Sequence, residues 1–132
     1  MQKKLFITAG IFGLLGVVLG AMGAHFLKEH LDAIKLESFN TGVKFMFYHA
    51  LALLAFGIIA EKNTDKLFYW AAQLIVWGTI LFSGSIYILS TQTLFGINLP
   101  KIIGLITPVG GLLLSAGWLL FTLSFINKKQ QN

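Results

Sequence analysis

The side chains able to do chemistry in this chain are three histidines, three tyrosines and a scatter of serines and threonines, many of them inside apolar runs. Tyr48 and His49 stand in FYHALALL, Ser83, Ser85 and Tyr87 in LFSGSIYIL, Thr107 in ITPVGG, and His25 closes GAMGAH. An imidazole in hydrocarbon is a candidate proton carrier or ligand-binding group. Its structural alternative is a neutral ring, hydrogen-bonded to a serine or tyrosine, that fixes the register of two helices. His25, His30 and His49 lack the compact spacing of metal ligands, so neither a metal nor another cofactor is expected. No aspartate or glutamate falls within an apolar run to orient a histidine toward a serine, which leaves a hydrolase constellation incomplete. His49 with Tyr87 offers acid–base groups for a lipid substrate, but nothing supplies a nucleophile or an electrostatic clamp. With no cysteine there is no thiol nucleophile either. The chain is not expected to be an enzyme.

The elements that position these residues follow from composition. Of 132 residues, 56% are hydrophobic and 11% charged, with a mean hydropathy of +0.78, against about 25% charged in soluble domains. Four runs, 5–24, 43–60, 67–89 and 102–126, are long enough to cross a hydrocarbon core that takes about 20 helical residues. The expected fold is all-α, an up-down four-helix membrane bundle forming one transmembrane domain over residues 1–132. MQKK followed by an apolar run and small residues has the shape of a signal peptide. The run exceeds the usual core of about 7–15 residues, so it is read as the first span.

All ten basic residues are lysines. They are scattered among loops and ends, which argues against nucleic acid and for lipid headgroups. An even number of spans puts both termini on one side with Lys3, Lys4, Lys62, Lys66, Lys128 and Lys129, against Lys28, Lys35, Lys44 and Lys101 on the other. The positive-inside rule then favours cytoplasmic termini in a cell membrane. Between the first two spans, Leu27, Leu31 and Ile34 repeat at helical spacing, and Lys28 and Asp32 form an i, i+4 pair. This predicts a short amphipathic helix on the membrane surface or, as the alternative, an extension of the first helix beyond the bilayer, with Asn40 or Thr41 capping the second span. Pro100 suits the first turn of the fourth.

Counting from these boundaries places His25, Tyr48, His49, Ser83, Ser85, Tyr87 and Thr107 at one depth, in the outer half of the bundle. Polar groups at equal depth can satisfy one another. Pro108 adds to the zone by leaving a carbonyl of the preceding turn without its amide. A second pattern is the glycines: Gly13, Gly16, Gly20 and Gly23 lie with Ala9 on one helical face, and Gly110 and Gly111 begin a similar series with Ser115 and Gly117. Small residues at such spacing let helices approach closely, within the chain or between two copies. Tyr69, Trp70 and Trp118 are read as interfacial anchors or packing residues.

GAMGAH at 20–25, FYHALALL at 47–54, LFSGSIYIL at 81–89 and ITPVGGLLLSAGW at 106–118 resemble the signature segments of domain-of-unknown-function family 423, also called uncharacterised protein family 0382 and similar to eukaryotic transmembrane protein 256. The resemblance implies a small bacterial four-helix membrane protein and brings no catalytic residues with it. Two functions fit the sequence. The first is a structural or accessory bundle packed through its glycine faces, as a homo-oligomer or with another membrane protein. The second is a carrier or binding protein that uses the polar cluster for a small amphipathic or lipidic ligand, or for protons.

Overall fold

The computed structural model describes residues 1–126. Among these residues four helices are long and apolar enough to cross a membrane: α1 (Gln2–His30), α2 (Ala33–Ile59), α3 (Lys66–Phe95) and α4 (Lys101–Ile126). Lys128 and Lys129, counted above for the topology, lie outside the described residues.

Consecutive helices are antiparallel neighbours, as short connections dictate. α1 packs on α2, α2 on α3 and α3 on α4. α2 and α4 run parallel and meet through side chains, with Phe56 stacked on Phe121 at a centroid distance of 4.7 Å. The core is drawn from all four helices, with Phe12 from α1, Leu53 and Phe56 from α2, Phe68 and Ile75 from α3 and Leu114 from α4. Lipid is as apolar as a leucine side chain, so close packing rather than escape from water drives these contacts. Accordingly Leu14, Ile58, Trp77 and Leu112 are exposed on the outer faces.

The segment between the first two spans differs from the first of the two expectations. Residues 25–40 form no separate surface helix: α1 continues through a π-type turn over Gly23–Leu27 to His30, and α2 begins at Ala33. The break is at Leu31 and Asp32, whose extended backbone ends one helix and starts the next. Asp32 supplies the cap, accepting the Lys35 amide at 2.9 Å. Asn40 and Thr41 therefore lie inside α2 rather than at its start. The break also separates Lys28 from Asp32, and Asp32 pairs with Lys35 instead, at 3.5 Å.

At the α3–α4 connection Gly96 takes a left-handed conformation (φ 63°), and Gln92 closes the loop by accepting the Leu99 amide at 3.0 Å. Pro100 precedes α4, whose first five residues, Lys101–Leu105, are 3-10 helix. A 3-10 segment bonds each carbonyl to the amide three residues on, so this turn makes little demand on the amide that Pro108 lacks.

Candidate functional site

The glycines set how closely the helices approach. A Cβ on Gly16 would stand 3.0 Å from the Phe47 ring, on Gly20 3.3 Å from Val43, and on Gly23 2.9 Å from Asn40. The partner of this seam is therefore α2 of the same chain. Gly13 is off the seam, with nothing within 4 Å, because the buried Phe12 takes the place on that face. A Cβ on Gly110 would run into the Phe82 backbone, 2.8 Å from its Cα, whereas one on Gly111 would face the Phe82 ring at an ordinary 3.7 Å. Three further close approaches carried no regular spacing in the sequence: Gly42 against Tyr87, Gly57 against Phe6 and Gly78 against Leu114.

These approaches bring polar groups together in pairs. Ser83 donates to the Gly42 carbonyl at 2.8 Å, tying α3 to α2. Tyr87, one turn further along α3, reaches the Met46 sulfur at 3.6 Å. Ser85 and Thr107 share a 2.7 Å hydroxyl–hydroxyl bond between α3 and α4. His49, 6% exposed, joins α2 to α4: the Trp118 indole N–H donates to its Nε2 at 3.2 Å. An acceptor Nε2 puts the proton of the neutral ring on Nδ1, which faces the Phe45 carbonyl at 2.7 Å. Both nitrogens of this imidazole are thus engaged inside the protein.

Two of the predicted residues take no part. Tyr48 is 60% exposed on the outer face of α2, and His25 is exposed beside Lys28 and Glu29. The rest divide into two levels rather than one. Thr107 and Gly42 lie about 11–14 Å along their helices from Lys101 and Ala33, and His49 and Trp118 about 24–28 Å, at 1.5 Å per α-helical and 2.0 Å per 3-10 residue. Starting α2 at Thr41, as the sequence suggests, counts His49 too few turns from the start of its helix and hides Trp118 as its partner. An indole N–H inside an apolar run needs an acceptor, which is the signal the sequence offers for this pair.

Beside His49 a cleft of about 560 Å³ runs between α2 and α4. Phe45, His49, Phe82, Pro108, Ser115 and Trp118 are among its walls. Apart from the imidazole, the indole and the Ser115 hydroxyl it is apolar, and Ser115 donates to the Gly111 carbonyl of its own helix at 2.9 Å. Among the described residues no group of three or more histidine, aspartate or glutamate side chains is placed to hold a metal ion.

Residues 19–111 match the family described as "Protein of unknown function (DUF423)". The chain belongs to this family. The segments carrying the DUF423 match include His49, Ser83, Ser85, Tyr87 and Thr107, the polar side chains that join the helices. The chain is 34% identical over 130 residues to UPF0382 inner membrane protein YgdD of Escherichia coli (strain K12), covering 98% of this chain and 95% of that one. It is 37% identical over 121 residues to UPF0382 membrane protein SSP2132 of Staphylococcus saprophyticus, covering 91% and 95%, and 37% identical over 122 residues to SH2409 of Staphylococcus haemolyticus, covering 92% and 94%. No solved structure matches the chain. This DUF423 member is a membrane protein with four candidate spans.

Proposed function

We propose that the protein is a structural or accessory component of the bacterial inner membrane, with cytoplasmic termini, and that its buried polar side chains are ties between helices. The observation that carries this reading is His49, whose two ring nitrogens are both bonded within the bundle. A proton carrier needs a group free to exchange its proton with a donor on one side and an acceptor on the other. Ser85 with Thr107, and Ser83 with the Gly42 carbonyl, are likewise paired across helices. Reconstitution into liposomes tests the proposal. Vesicles carrying the protein are expected to hold an imposed pH gradient as long as empty ones, and His49→Ala to lower the unfolding temperature in detergent. A proton leak through the wild type that His49→Ala abolishes would overturn the reading.

The cleft between α2 and α4 favours a second reading, a binding protein for a lipidic molecule. An acyl chain fits its largely apolar walls, with the His49–Trp118 pair as the polar contact. A lipid retained by the purified wild type and lost from Gly111→Trp, which fills the cleft, would decide for this reading.

A further inference from the structure

The turn from α2 into α3 holds an unpaired donor. Asn63 is 3% exposed, and its Oδ1 accepts the Asp65 amide at 3.0 Å. Its Nδ2 is, among the described residues, the one buried side-chain nitrogen or oxygen without a partner. Reversing the amide would set its NH2 group against the Asp65 N–H, donor facing donor, so the orientation is fixed by the turn. A buried amide donor left unbonded is costly, and an acceptor from outside the chain would satisfy it.

Asn63 belongs to the wall of a cleft of about 510 Å³, together with Glu61, Thr64, Lys66, Tyr69 and Trp70. The cleft opens where α3 begins, and the N-terminal end of this 30-residue helix carries the positive end of its dipole. The Asp65 carboxylate is committed to the Leu67 amide at 2.9 Å as the helix cap; Lys66 and the Asn63 amide are donors on the wall beside it, with Met1 and Gln2 lining the opposite side. Tyr69 and Trp70 are both exposed at the end of a span, the level at which such rings meet lipid headgroups.

We propose that this cleft binds the headgroup of a phospholipid, with its phosphate oxygens on Asn63 Nδ2 and Lys66 Nζ. Glu61 on the same wall offers a place for an amine beyond the phosphate, so a phosphoethanolamine headgroup satisfies both charges. Tyr69 and Trp70 flank the glycerol region. Free phosphate shares the recognised chemistry, and the test separates the two sources.

The test is native mass spectrometry of the full chain in detergent, titrated with phosphatidylethanolamine, with diacylglycerol as the phosphate-free control and with inorganic phosphate as a competitor. Asn63→Asp keeps the acceptor for the Asp65 amide and replaces the donor with a carboxylate; Lys66→Gln removes the cation and leaves the turn intact. The expected result is a phospholipid adduct that diacylglycerol does not form and that weakens at least tenfold in each variant. Displacement by millimolar inorganic phosphate would assign the site to the free ion. Equal binding of diacylglycerol, or adducts of wild-type strength in Lys66→Gln and in a folded Asn63→Asp, would overturn the proposal. Should Asn63→Asp fail to fold, Lys66→Gln alone decides.

Discussion

The Trp118 indole and the His49 imidazole meet at 3.2 Å across α4 and α2, two helices whose contacting residues are 69 positions apart in the chain. Because Nε2 accepts, the bond sets the tautomer of the ring and directs Nδ1–H to the Phe45 carbonyl. The pair also spans one wall of the α2–α4 cleft, so it fixes the separation of the two parallel helices at that level.

The tautomer is directly observable. Nitrogen-15 spectra of the protein in bilayers at neutral pH should show His49 protonated at Nδ1 and bare at Nε2, and Trp118→Phe should shift the Nε2 resonance. A ring protonated at Nε2 would contradict the assignment.

Glycine substitutions should separate the seams from the lipid face. Gly110→Ala pushes a methyl into the Phe82 backbone and is expected to cost about 1–3 kcal/mol, the usual penalty of overpacking. Gly13→Ala meets nothing within 4 Å and should be neutral or stabilising by up to about 1 kcal/mol, the difference in helix propensity. Unfolding in detergent measures both. Equal losses would mean that Gly13 is packed against something beyond this chain.

The Asp32 cap carries a pH dependence. The hydrogen bond from the Lys35 amide, helped by the Lys35 ammonium, holds its carboxyl below the ordinary value of 3.8. A depressed value means that the cap contributes fully above about 3.8 and is lost as the pH falls through the lowered value. Hydrogen exchange at the Lys35 amide, corrected for its intrinsic pH dependence, should quicken at the acid end. Asp32→Asn, which keeps a neutral acceptor, should flatten that dependence.

The orientation can be read with thiol chemistry, because the chain has no cysteine of its own. A single cysteine at Lys4 should resist a membrane-impermeant maleimide in intact cells and react after lysis. A cysteine at Phe95, exposed at the opposite end of the bundle, should react in intact cells. The reverse pattern would put the termini outside.

How far the sequence reaches can be judged from particular residues. The four spans are legible because lipid imposes length and apolarity on every crossing segment. The seam of Gly16, Gly20 and Gly23 is legible because small residues at intervals of three and four mark a close helix face. Gly13 fits that spacing equally well, and only the placement of the larger Phe12 shows that it stands aside. The start of α2 is obscured because helical periodicity runs on through residues 25–40. Asp32, a good capping residue placed just before Ala33, is the local sign of the break. That one boundary moves His49 by about 12 Å from the start of its helix at 1.5 Å per residue, enough to hide Trp118 as its partner. Ser85 with Thr107 is within reach of the sequence, since the helix ends near them are legible. Asn63 is not, because a turn of charged and polar residues gives no sign of which side chain it buries.

The central claim, that His49 holds α2 to α4, is tested most directly by a double-mutant cycle on His49→Ala and Trp118→Phe, read by reversible unfolding in detergent or bicelles. The expected coupling is about 0.6–1.7 kcal/mol, the range found for hydrogen bonds between membrane helices, with each single variant less stable than the wild type. Additive effects with no coupling would contradict the claim and release His49 for a role other than tying the two helices together.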